Sequence, residues 1–271
     1  MPYLSAGGHR IEYQLLHAAA ADSSTTRDQA TDRPMLVFLH EGLGSTSLWK
    51  DFPAAVVHAT GRDALVYSRH GYGKSDRVTE ARGVEYMHRE ALEVLPEILA
   101  YLSVHAPILI GHSDGASIAL IHAGAGKWPV RGLVLMAPHV FVEEVTVTSI
   151  AAAKVTFETT DLATKLGRYH DDAVSTFWGW NDIWLHPDFR YWNIEEYLPG
   201  ITSPVLLIQG EDDQYGTKAQ VDAIAGQVAG PAEVLMLPRC AHSPHVDQRE
   251  ATVRAIAEFV ERVRGEVKGE A

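Results

Sequence analysis

The 271-residue chain predicts an α/β domain with a mostly parallel sheet and helices on both faces. Three observations lead there. Short apolar runs recur at 35–39, 64–67, 107–110, 132–136, 204–208 and 233–237. Stretches with helical character separate them. The run at 107–110 also leads directly into Gly111-His112-Ser113-Asp114-Gly115 and then into a segment of good helix formers. Strands that are apolar along their whole length are buried on both faces, as in a parallel sheet covered by helices.

Taken in order, residues 10–16 alternate as an early strand does. Residues 18–33 are rich in Ala, Ser, Thr and Asp without periodicity, and predict an exposed, mobile loop. Helices are predicted at 84–103, 114–125, 217–228 and 247–264; Pro96 should kink or break the first. Between about 140 and 200 no clear strand occurs. Short helical patterns there are punctuated by Gly167, Gly179 and Pro187, and the stretch holds Trp178, Trp180, Trp184 and Trp192. This predicts a helical cap at 140–200 over the carboxyl ends of the sheet, with 1–139 and 201–271 forming the core domain.

A hydrophobic content of 46% and a charged content of 21% suit an ordinary soluble globular protein. The net charge of −12 repels phosphate backbones and offers no basic patch to anionic lipid, so neither nucleic acid nor a membrane is an expected partner. No run approaches the ~20 apolar residues of a membrane span. The start of the chain lacks the basic and apolar regions of a signal peptide. Cys240 is the single cysteine, so no intrachain disulfide can form. These features lead to a cytoplasmic protein acting on a small molecule; a homodimer stays open.

The pattern at 111–115 is G-x-S-x-G. After a strand and before a helix, it puts Ser113 on a sharp turn with its hydroxyl held clear of the chain, as a nucleophile for acyl transfer. Serine at neutral pH needs a base, and the base needs an orienting acid. Both should follow later strands, in the order Ser, Asp, His. After the run at 204–208 comes Gly210-Glu211-Asp212-Asp213, and after 233–237 comes Pro238-Arg239-Cys240-Ala241-His242-Ser243-Pro244-His245. Asp213 and His242 are the candidates, with Asp212 and His245 as alternatives that chain order alone does not remove. A tetrahedral intermediate also needs amide donors. The glycine-bearing loop His40-Glu41-Gly42-Leu43-Gly44 supplies the Gly42 N–H, and the residue after the nucleophile supplies the Asp114 N–H.

Phe177, Trp180 and Trp184 share one helix face if Gly179 does not break the helix, and are candidates to line an apolar pocket. At least one of them belongs to the cap's own core on this reading. His139, just past the run at 132–136, is a further pocket candidate. Cys240, His242 and His245 match no common zinc spacing, so no metal is expected.

In this order, the loop at 40–44, Arg69-His70-Gly71-Tyr72-Gly73-Lys74-Ser75-Asp76, the turn around Ser113, the Asp213 turn and the His242 loop resemble the α/β-hydrolase superfamily over nearly the whole chain. Within it the chain is similar to capped esterases and to meta-cleavage-product C–C hydrolases. The resemblance implies an eight-stranded, mostly parallel sheet, no cofactor and an acyl-enzyme route. Serine at 113 sets the chain apart from haloalkane dehalogenases and epoxide hydrolases, which place aspartate there. Glu41 stands where the family usually has glycine; its carboxylate either disfavours anionic substrates or pairs with a nearby cation. The leading expectation is a serine hydrolase of a small apolar or aromatic carboxylic ester. The alternatives are a C–C bond hydrolase of vinylogous diketones with the same triad, and a non-hydrolytic ligand-binding protein on the same fold.

Overall fold

The structure, a computed structural model, describes residues 1–19 and 34–265. Its centre is an eight-stranded sheet in the order β1-β2-β4-β3-β5-β6-β7-β8. The strands are Tyr3–Ala6 (β1), His9–Leu16 (β2), Leu36–Leu39 (β3), Ala64–Tyr67 (β4), Ile108–His112 (β5), Gly132–Met136 (β6), Val205–Gly210 (β7) and Ala232–Leu237 (β8). β2 pairs antiparallel with β1 and β4, and all other pairings are parallel. The helices are Phe52–Thr60 (α1), Tyr86–Arg89 (α2), Leu95–Tyr101 (α3), Asp114–Gly124 (α4), Glu144–Thr159 (α5), Leu162–Leu166 (α6), Ala173–Trp184 (α7), Lys218–Gln227 (α8), Pro244–Asp247 (α9) and Arg249–Gly265 (α10).

The apolar runs divide between two cores because strand side chains alternate faces. Leu36 and Phe38 of β3 enter one core, while Val37 and Leu39 enter the other. β7 divides likewise, with Leu206 and Ile208 against Val205 and Leu207. On the first face lie Phe52 and Val56 of α1, with Ile256, Phe259, Val260 and Val263 of α10 at helical spacing. On the second lie Leu95 and Ile98 of α3, Ile118 and Ile121 of α4, and Val221 and Ile224 of α8.

The expected strands are present with ends moved by one or two residues. β1 and α1 were not anticipated: β1 is only four residues long, and α1 is a nine-residue helix entered through Pro53 and ended at Gly61. The helix expected at 84–103 is segmented. A π turn at Glu90–Val94 joins α2 to α3, and Pro96, which has no N–H to give, follows it; the Ala91 carbonyl in the preceding turn accepts from His122 Nδ1 at 2.8 Å instead. The loop expected at 18–33 lies, from residue 20 onward, outside the described residues. Residues 140–200 fall between β6 and β7 and carry α5, α6, α7 and two 3-10 turns, at Pro187–Tyr191 and Glu195–Gly200. Their β structure among the described residues is an isolated bridge between Phe141 and Asn193. No helix of the described residues is long and apolar enough to cross a membrane.

Register brings the strand ends together. Leu39 pairs with Gly111, His112 with Met136, Met136 with Ile208, and Gly210 with Leu237. The loops that leave β3, β5, β6, β7 and β8 therefore meet along one edge, where open α/β sheets bind ligands.

The bend between β5 and α4 needs two glycines. A Cβ on Gly111 would press into the backbone of Gly115 and Ala116, and one on Gly115 would collide with the Leu39 carbonyl. Gly226, inside α8, has open space around it. Gly115→Ala should lower stability by about 1–3 kcal/mol, whereas Gly226→Ala should raise it by about 0.5–1 kcal/mol; thermal melts of the two variants check the contrast.

Candidate active site

Ser113 lies between the last residue of β5 and the first of α4 with φ 52° and ψ −117°. A non-glycine residue at such a φ carries strain of about 1–3 kcal/mol and persists only where its surroundings over-determine it. Here they do. The Ser113 N–H donates to the Met136 carbonyl at 3.0 Å, and its own carbonyl accepts from the Ala116 and Ser117 amides at 2.9 and 3.1 Å. The side chain is left to face outward. No hydrogen bond among the described residues engages Ser113 Oγ, which opens onto a cavity.

His242 lies in the irregular segment between β8 and α9, and Asp213 in the turn after β7. His242 Nδ1 lies 2.9 and 3.0 Å from the two Asp213 oxygens. Asp213 also accepts from the Tyr215 N–H at 2.8 Å and the Gln209 side-chain amide at 2.7 Å. Burial pushes its pKa upward, but the bond to His242, the charge on that ring and the Tyr215 amide together hold it below the usual carboxylate range. An ionised carboxylate only accepts, so His242 Nδ1 donates to it, and Nε2 is the ring nitrogen not engaged by Asp213. The alternatives separate on geometry. Asp212 is exposed, and His245 packs its ring against Trp49 and Phe52 at 4.9 and 5.3 Å.

The loop after β3 is clamped through one carbonyl. Glu41 O accepts from His40 Nδ1 at 2.7 Å, Arg69 Nη2 at 2.8 Å and the Gly44 amide at 3.1 Å. In a trans peptide the following N–H points opposite to the carbonyl, so the Gly42 N–H faces away from this cluster. The Asp114 N–H is the first amide of α4 and lacks an intrahelical acceptor. The Asp114 side chain points elsewhere, accepting from Tyr86 at 2.8 Å and from Trp184 Nε1 at 3.2 Å, with Arg69 at 3.7 Å.

A cavity of about 160 Å³ joins these parts. Glu41, Gly42 and Leu43 form one wall, and Ser113, His139 and His242 another. Thr146 and Ile150 of α5, Trp180 of α7 and Tyr215 complete it. A second cavity of about 350 Å³ shares Leu43, Trp180 and Tyr215 with the first.

The aromatic set narrows accordingly. Gly179 does not interrupt α7, yet of Phe177, Trp180 and Trp184 only Trp180 lines the cavity with Ser113. Phe177 stacks on Phe157 at 3.8 Å and lines the second cavity. Trp184 is spent on Asp114 and on an edge contact with His139 at 5.4 Å. The shared helix face thus splits, since the two ends of α7 cross different neighbours. Sequence reasoning missed Leu43, Thr146, Ile150 and Tyr215 in the wall, and the structural parts played by Arg69 and His112. Leu43, Arg69, His112 and Tyr215 lie in or beside the motifs, whereas Thr146 and Ile150, on α5, carried no signal. Among the described residues no group of three or more His, Cys, Asp or Glu side chains is placed to hold a metal ion.

Residues 36–255 match the model of the alpha/beta hydrolase family. No curated protein sequence matches the chain. Among solved structures, proline iminopeptidase from Mycobacterium smegmatis superposes with a TM-score of 0.75 at 15% identity, covering 98% of this chain and 99% of that one. The enol-lactonase from Burkholderia xenovorans LB400 gives 0.71 at 19% identity, covering 96% and 100%. A thermophilic esterase from Thermogutta terrifontis gives 0.70 at 16% identity, covering 97% and 100%. At these identities the likeness is one of fold.

Two buried histidines set an acid limit on stability. Burial, then the His242 charge, push His139 down to about 3 from the ordinary 6.5. Burial, then His112, push His245 down to about 3. Both stay neutral in the folded chain while their unfolded counterparts charge below about 6.5, so the unfolded state binds more protons in the window from 6.5 to 3. Stability should therefore fall as pH falls through that window. Asp213, with its lowered pKa, withdraws its contribution only as pH drops through its folded value. Melting temperatures against pH should show a shallower acid slope in His139→Gln and His245→Gln; slopes equal to wild type in both would contradict buried neutral histidines.

Proposed function

We propose that this chain, which belongs to the alpha/beta hydrolase family, is a serine hydrolase that cleaves small, neutral, apolar or aromatic carboxylic esters through an acyl-enzyme. The observation that carries this reading is the strained Ser113 opening onto the same cavity as His242, whose Nδ1 is held by buried Asp213. His242 Nε2 takes the Ser113 proton as Oγ attacks the acyl carbon. Asp213 keeps the imidazole in the tautomer that makes Nε2 the base, and stabilises the imidazolium that results. The Gly42 and Asp114 N–H groups receive the oxyanion. His242 then protonates the leaving alcohol, and later takes a proton from the water that releases the acid.

Cavity shape supports a substrate in two parts. The 160 Å³ chamber beside Ser113 accommodates a short acyl group. The adjoining 350 Å³ space, walled by Leu43, Phe177, Trp180 and Tyr215, offers room for an apolar or aromatic alcohol. α5 and α7 line both cavities, which supports reading residues 140–200 as a cap. No lysine or arginine is among the described residues that line the two cavities to receive an anionic group, which favours neutral esters over acidic dienones.

Purified protein should be labelled by a fluorophosphonate and should turn over p-nitrophenyl acetate. Ser113→Ala should abolish both. Asp213→Asn should fold normally and lose about two to four orders of magnitude in kcat, because the imidazole tautomer is no longer imposed. Labelling that persists in Ser113→Ala, or full activity in Asp213→Asn, would overturn the assignment.

A further inference from the structure

His112, buried in the middle of the G-x-S-x-G turn, touches two of the site's other parts. Its Nε2 lies 2.7 Å from the main-chain carbonyl of His242. A carbonyl oxygen only accepts, so this nitrogen carries a proton. Its Nδ1 lies 3.7 Å from Oε2 of Glu41 and has no closer partner among the described residues. A carboxylate is repelled by the lone pair of a neutral ring and attracted by an N–H. Glu41 itself is held well below the usual carboxylate range. Burial opposes this, and the contact with His112 leads what outweighs it.

The groups around His112 come from three elements. Glu41 faces it from the loop after β3. The His242 and His245 rings stand 5.1 and 4.9 Å from its centroid on the segment after β8, with Asp213 bonded to His242. His139 adds a further ring from the loop after β6, close enough for His112 to depress its protonation.

We propose that Glu41 and His112 form a second carboxylate–histidine couple, in which Glu41 keeps both His112 ring nitrogens protonated and His112 grips the main chain of His242. Both act as positioning residues. Asp213 fixes the ring of the base, and His112 fixes its backbone in a segment without regular structure. A charge-assisted N–H holds a carbonyl roughly twice as strongly as a neutral one. Glu41 neighbours Gly42, and His112 neighbours Ser113, so one couple ties three loops in register. The role in catalysis rests on reading His242 as the base; the protonation of His112 does not.

Nitrogen-15 NMR of histidine-labelled protein at pH 7 reads the couple directly, and does so equally in Ser113→Ala. The expected result is two protonated His112 nitrogens in wild type and one in Glu41→Gln. A His112 with one bare nitrogen in wild type would overturn the proposal. With p-nitrophenyl acetate, Glu41→Gln and His112→Leu should each lower kcat about tenfold with KM nearly unchanged, as loss of an outer partner commonly does. The double variant should be no worse than the poorer single. His112→Gln, whose amide can reach the same carbonyl, should recover more activity than His112→Leu. Additive losses, or wild-type kcat in Glu41→Gln, would count against the couple. A wild type with no ester hydrolysis would sink the functional reading while the NMR result still decides this one.

Discussion

The site depends on one backbone torsion. Ser113 occupies a left-handed conformation that a side chain resists, and the chain holds it there by crowding. Gly111 and Gly115 let β5, α4 and the end of β3 approach within distances that leave no room for a Cβ. The same crowding sets the Ser113 amide on Met136 and starts α4 at Asp114. The position of Ser113, the helix start and the first amide of the helix are thus consequences of one tight passage between a strand and a helix.

Around that bend the fold uses buried polar groups as braces. Arg69 is almost wholly buried, donating to the Glu41 and His40 carbonyls and facing Asp114. Asp114 in turn holds Tyr86 and Trp184, and so attaches α7 to the residue after Ser113. Removing one partner from such a network leaves a buried charge uncompensated, which is strongly destabilising. The arrangement links the loop after β3, the turn at Ser113 and α7 through hydrogen bonds and one ion pair.

The sheet was legible because its strands are apolar throughout, and a run such as 132–136 has few other ways to be buried. Ser113, Asp213 and His242 were legible because each follows such a run, and parallel register carries strand ends to one edge. The choice of Asp213 over Asp212 agrees with the pairing to His242 but had the thinnest basis, since two adjacent aspartates differ only in which way the turn presents them. Arg69 and His112 were not legible. An arginine usually reads as a surface charge, and position 112 is the variable place in its motif; their burial and partners arise from contacts far apart in sequence. Trp184 shares a helix face with Trp180, but periodicity does not reveal that its indole meets a carboxylate. β1 and α1 were too short for their patterns to stand out.

Mass spectrometry of the protein quenched during turnover of p-nitrophenyl acetate tests the central claim most directly. An acetyl group on the peptide that contains Ser113, formed in wild type and absent in Ser113→Ala, is the result this account requires. Hydrolysis that proceeds without acylation of Ser113, or with the acyl group on another residue, would contradict it.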